Sequence, residues 1–223
     1  MALFNTRDNV AVLNPAGSAA TTERMAFLRK VYGLLTASLL FTTGAAYFGQ
    51  ALDPATFFWP LLIAFFGTLI FAMAVRRKPG WNLIALFSFT TVGGLYIAPV
   101  TRIYDLAVIQ EALVLTVVIF GSLTTYVMMS KRDFSFLGSF LVMGLVLVIA
   151  GSLLNAFLFQ NSMGHFVISG GGVILFCGFI LYDTSNILRY YDVEDYTAAT
   201  LALYLDILNL FLFILSLLGG SRD

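Results

Sequence analysis

Seven long apolar runs, each closed by a short polar or basic stretch, occupy most of this 223-residue chain. The first covers about residues 31–50 and stops at Leu52-Asp53-Pro54. The second, about 57–75, ends on Arg76-Arg77-Lys78-Pro79-Gly80. The third, about 81–100, contains Gly93-Gly94 and Pro99, which are expected to loosen or kink it. The fourth, about 107–129, ends at Ser130-Lys131-Arg132-Asp133, and the fifth, about 136–159, at Gln160-Asn161-Ser162. The sixth and seventh, about 165–188 and 198–219, are joined by a loop bearing Asp192, Glu194 and Asp195. Apolar residues fill these runs on every side rather than along one stripe. Runs of roughly 19–24 residues are long enough to cross a hydrocarbon core of about 30 Å. The pattern predicts an all-α integral membrane protein of seven transmembrane helices with short connections.

Composition agrees with this pattern. Charged residues make up 11% of the chain, against about 25% in soluble domains, and mean hydropathy is +0.92. Formal net charge is zero, so no basic footprint for nucleic acid exists. The placement of the basic residues is more informative. Arg7, Arg24, Arg29, Lys30, Arg76, Arg77, Lys78, Lys131, Arg132 and Arg189 fall on one side of the predicted membrane, and only Arg102 and Arg222 on the other. The positive-inside rule then puts the amino terminus in the cytoplasm and the carboxyl terminus outside. Residues 1–24 are too polar for a signal-peptide core and read as a flexible cytoplasmic tail, with residues 25–223 forming one transmembrane domain. Cys177, inside an apolar run, and the single histidine, His165, at a run's start, give neither a disulfide framework nor a thiolate metal site. Gly138, Gly144, Gly151, Gly170-Gly171-Gly172 and Gly178 are expected to let helices five and six approach closely.

Two stretches carry the candidate chemistry. Asp183 and Asn186 lie three apart in the sixth run, and Asp206 and Asn209 three apart in the seventh, so each carboxylate shares a helix face with an amide. An ionisable group inside a membrane span costs about 2.5–3.5 kcal/mol on insertion scales and normally turns toward a partner or a water-filled cavity. Counting residues puts Asp183 and Asp206 at depths of roughly 8 and 12 Å from the cytoplasmic end, close enough to meet if the two helices are antiparallel neighbours. Two carboxylates so placed share a proton rather than both ionise. Such a pair suits a cation that binds when the proton leaves. With Asn186 and Asn209 as supporting oxygen ligands, the cation is a hard one such as Ca²⁺, passing through rather than stored. The plainer alternative is that each aspartate hydrogen-bonds neighbouring hydroxyls and fixes helix packing. Arg76 emerges at the same level, where it could snorkel toward the pair. Glu111 either lines an outer vestibule or sits at the interface. Asp192, Glu194 and Asp195 read as solvated, with Asp195 as a cap for the seventh helix. No tightly bound cofactor is expected.

Three motifs carry a family likeness: Ser130-Lys131-Arg132-Asp133-Phe134-Ser135-Phe136-Leu137-Gly138, Leu181-Tyr182-Asp183-Thr184-Ser185-Asn186-Ile187, and Leu203-Tyr204-Leu205-Asp206-Ile207-Leu208-Asn209-Leu210-Phe211. In this order and spacing they closely resemble the Bax inhibitor-1 family (transmembrane BAX inhibitor motif proteins). The likeness runs from about residue 25 to the end. Short loops and tails resemble a bacterial, inner-membrane member. The resemblance implies a hydrophobic seventh helix at the centre with six helices around it. It also implies that Asp183 and Asp206 act as the pH sensor of a calcium leak, with Arg76 as the arginine that latches them. Some bacterial relatives are instead described as modulators of a membrane-anchored ATP-dependent protease, for which the polar tail is a plausible grip. Certain of those lack the aspartates that this chain keeps. Paired aspartates on adjacent helices also serve intramembrane proteases, but neither aspartate here has a glycine beside it, and the likeness implies no enzyme. Membrane lipid, Ca²⁺ and protons are the remaining expected partners.

Overall fold

The computed structural model describes residues 15–130 and 132–220. Its seven helices are α1 (Pro15–Gly49), α2 (Pro54–Ala74), α3 (Trp81–Ile103), α4 (Leu106–Ser130), α5 (Gly138–Leu154), α6 (Ser162–Arg189) and α7 (Tyr196–Gly219). All seven are long and apolar enough to span a membrane, once the short helical turns at Ser135–Leu137 and Asn155–Phe159 extend α5 and that at Val193–Asp195 extends α7. The local signals behave as the sequence suggests. Asp53 caps α2 by accepting from the Thr56 N–H at 3.0 Å, ahead of Pro54 in the first turn. Asn161 caps α6 by accepting from the Gly164 N–H.

α7 is the central helix. Leu203, Tyr204, Leu210 and Leu215 on it are wholly buried. α1, α3, α4 and α6 pack directly against α7, while α2 lies on α3 and α5 on α6. The buried side chains form two cores. One joins α1, α2 and α3, together with Ile187 of α6, to the first half of α7 through Leu208, and the other joins α4, α5 and α6 to its second half from Leu210. A polar node sits inside the first core: Thr42 Oγ1 lies 2.8 Å from Tyr204 Oη and donates to the Thr90 carbonyl at 2.9 Å.

One expectation changes. The first helix begins at Pro15, so residues 15–24, read as tail, are helical here. Arg24 donates to the backbone carbonyls of Ile187 and Tyr191, which supplies donors to the otherwise unsatisfied end of α6. The remainder of the predicted tail, with Arg7, lies outside the described residues, as do Lys131 and Arg222. In addition, α3 is continuous through Gly93, Gly94 and Pro99. Gly94 serves a contact: a Cβ there would lie 2.3 Å from the Thr42 carbonyl oxygen of α1. The expected close approach of α5 and α6 is present at Gly144, facing Leu175, and at Gly178, facing Leu141. Gly170 and Gly171 face open space.

Candidate functional site

Asp183 and Asp206 line the same cavity between α5, α6 and α7. Asp183 sits six residues before the end of α6 and Asp206 ten residues into α7. At 1.5 Å per residue these are depths of about 9 and 15 Å, and the antiparallel packing of the two helices brings them together. Asp206 is 3% exposed, and its Oδ2 has no hydrogen-bond partner.

Four cavities meet around and beyond this pair. The first, about 500 Å³, opens at the basic end and is lined by Arg76, Asp183, Asn186, Tyr191, Asp192 and Asp195 among others. The second, about 530 Å³, lies between α5, α6 and α7, and Asp183 lines it as well, with Asp206 and Asn209. Ser152 and Phe213 then line both the second cavity and a third of about 230 Å³. Asn155, His165 and Ser216 in turn line both the third and a fourth, about 570 Å³, at the opposite end of the bundle. The result is a series of spaces, each sharing side chains with the next, running from one end of the molecule to the other. Asn186 and Asn209 fall on either side of the acid pair. Asn209 Nδ2 donates to the Leu205 carbonyl at 2.8 Å, which leaves its amide oxygen for the cavity. Among the described residues no group of three or more His, Cys, Asp or Glu side chains forms a metal site.

Among the described residues, Arg77 forms ion pairs with two acids. Its Nε and Nη2 donate to Asp195 at 2.9 and 2.6 Å, and Nη2 also reaches Asp192 at 3.1 Å. Hydrogen bonding to Asp195 holds the Arg77 guanidinium even further above its ordinary range. Asp195 stands at the N-cap position of α7 without capping it by its side chain. It is buried rather than solvated, because its carboxylate is engaged by the arginine fork. Arg76 is exposed and lines the basic-end opening with Asp183. Its carbonyl accepts from Thr197 Oγ1 at 3.0 Å. Glu111, on α4, is exposed and lines none of the four cavities.

Two polar clusters escaped the sequence reading. At the far end His165 Nε2 lies 3.2 Å from Ser216 Oγ, itself 2.7 Å from Ser169 Oγ. Near the pair, Asp133 in the α4–α5 loop accepts from Tyr190 Oη, from the Ser135 N–H at 2.9 Å and from Ser185 Oγ at 3.3 Å. The Tyr190 hydroxyl, followed by the Ser135 N–H, holds the Asp133 carboxyl down at about 2, below its usual 3.8. A folded-state value below the unfolded one stabilises the fold above pH 4, and that contribution fades as pH falls toward 2. Asp133→Asn is therefore expected to lower the thermal midpoint at neutral pH. The gap from the parent should narrow steadily as the melts are repeated below pH 4.

Comparison with known proteins agrees with this architecture. The family described as "Inhibitor of apoptosis-promoting Bax1" matches residues 24–223. A Golgi anti-apoptotic protein of Vaccinia virus (strain Lister) is 43% identical over 213 residues, covering 92% of this chain and 90% of the viral protein. Bax inhibitor 1 of Schizosaccharomyces pombe is 38% identical over 220 residues, 94% of this chain and 82% of that protein. An uncharacterised Campylobacter jejuni protein is 37% identical over 215 residues, 91% and 92% respectively. With seven apolar helices, the last of them buried at the centre, and a match over nearly its whole described length, the chain belongs to the Bax inhibitor-1 family of integral membrane proteins.

Proposed function

We propose that this protein is a pH-regulated, Ca²⁺-permeable leak in a bacterial inner membrane, with the basic end in the cytoplasm. The observation that carries this reading is the series of four cavities whose first junction is the Asp183 carboxylate. With one proton shared between Asp183 and Asp206, a mutual hydrogen bond closes that junction. Loss of the proton leaves two carboxylates that repel each other and offer oxygens to a hard cation, with Asn209 and Asn186 on the two sides. Ca²⁺ takes six to eight oxygens, more than these side chains supply, so water completes its shell. Binding is then weak enough for the ion to leave, as conduction requires. Arg76, at the mouth, acts on the pair from the cytoplasmic side as a mobile positive charge that favours the closed arrangement.

The test is Ca²⁺ entry into proteoliposomes across a series of pH values. The parent leak is expected to rise with pH. Asp183→Asn combined with Asp206→Asn is expected to lower it about tenfold, equivalent to about 1.4 kcal/mol of barrier, and to remove its pH dependence. Unchanged flux with an unchanged pH profile in that variant would end the proposal.

A further inference from the structure

The cavity between α5, α6 and α7 is chemically lopsided. Its walls are apolar (Leu145, Val148, Phe176, Phe179 and Leu205 among them), and its acidic floor is Asp183 and Asp206. Buried carboxyl groups normally have a cationic or donor partner. Here Asp206 is 3% exposed, and its Oδ2 has no N–H or O–H donor in reach. The nearby arginines are placed elsewhere. Arg77 is bound to Asp192 and Asp195, and Arg76 lines the opening on the other side of Asp183 rather than this cavity. At about 530 Å³ the space falls in the range of small-molecule sites, roughly 300–1,000 Å³. Two of its lining residues on α5, Ile149 and Leu153, are 51% and 54% exposed, so this wall of the cavity is also part of the outer surface of the bundle.

We infer that this cavity is a binding site for a lipophilic primary ammonium ion, an apolar body carrying an –NH₃⁺ group, which enters from the bilayer and docks on Asp206 and Asp183. The ammonium supplies the donor that Asp206 Oδ2 lacks and a positive charge beside the acid pair, while the apolar body fills the space against α5. A free metal ion would satisfy the floor and leave the apolar walls unused, and a neutral lipid chain would do the reverse. Occupancy also puts a plug beside the junction at Asp183, so such amines act as blockers of whatever passes there.

The experiment measures binding alone, and its outcome is therefore separable from that of the leak proposal. Tritiated 1-adamantylamine is titrated against the full chain in lipid nanodiscs, with empty nanodiscs as background. Saturable binding of one molecule per chain is expected, displaced by unlabelled 1-adamantylamine and at least tenfold less well by neutral 1-adamantanol. Asp206→Asn is expected to weaken binding at least tenfold. Ser152→Phe, which fills the cavity from α5 and leaves both acids intact, is expected to do the same with an unchanged thermal midpoint. Equal competition by 1-adamantanol would overturn the inference in favour of an apolar lipid slot. Binding by Asp206→Asn equal to the parent, or no binding above empty nanodiscs, would overturn it outright.

Discussion

Phe213→Ala is expected to raise Ca²⁺ entry into proteoliposomes about tenfold, the equivalent of lowering a barrier by about 1.4 kcal/mol. Phe213 is the aromatic side chain that lines both the acid-floored cavity and the smaller space beyond it. Its ring is fixed from two sides. It stacks on Phe176 with centroids 5.7 Å apart, and it sits so close to Gly172 that a Cβ there would lie 2.4 Å from the ring. An apolar constriction of this kind opposes an ion by excluding its water, and truncating the ring joins the two spaces. Because the constriction and the acid pair lie in series, Phe213→Ala added to the doubly amidated pair is expected to leave flux low. A high flux in that triple variant would mean that ions bypass the carboxylates. Gly172→Ala supplies a check of opposite construction, since it displaces the same ring without removing it.

Gly94→Leu is expected to cost about 3 kcal/mol of stability, at the upper end of overpacking penalties, and to reduce the yield of folded protein. A Cβ at this position would stand 2.3 Å from the Thr42 carbonyl oxygen and 2.8 Å from Ala45 Cβ. The first of these is backbone and cannot swing aside. To make room, α1 and α3 must separate. That separation also breaks the Thr42 hydroxyl's bond to the Thr90 carbonyl and its contact with Tyr204 at the heart of α7. Gly67→Leu on α2 is the control, because a Cβ there meets nothing within 4 Å. Thermal unfolding in one detergent, run for parent and both variants, separates a local clash from a general intolerance of bulk in the membrane spans.

The spans were legible because run length and uniform apolarity are one-dimensional properties, and six of the seven begin and end close to where the runs do. The exception, α1, shows what such a reading lacks. Whether Arg24 belongs to a tail or to a helix depends on carbonyl groups of Ile187 and Tyr191, more than 160 positions away. The acid pair was legible for a similar reason, since an aspartate in an apolar run announces itself. Its surroundings were not. Arg76 and Arg77 lie in the turn after α2, and nothing in the pair itself says which one turns toward Asp195 and which toward the opening at Asp183. Asp195 was misread because acidic loop residues are usually solvated, whereas this one is engaged by Arg77 from the turn after α2. The Asp133–Tyr190 bond and the Ser169–Ser216–His165 series unite residues about 50 positions apart. Glycine position alone hinted at Gly172, but its partner, the Phe213 ring, comes from another helix.

The division of the interior into two cores has a mechanical meaning. The α1–α3 side and the α4–α6 side meet chiefly along α7, whose first half belongs to one and whose second half to the other. In effect the protein is a pair of three-helix leaves bound on one spine. Any parting of the leaves is a hinge motion about that spine, and the changeover between the cores falls between Leu208 and Leu210, one turn from Asp206. Arg24, reaching from α1 to the end of α6, clasps the leaves at the basic end. Asp206 and, facing the same cavity, Asp183 thus sit beside that spine, where a small change in the separation of two side chains would be carried outward to the edges of both leaves.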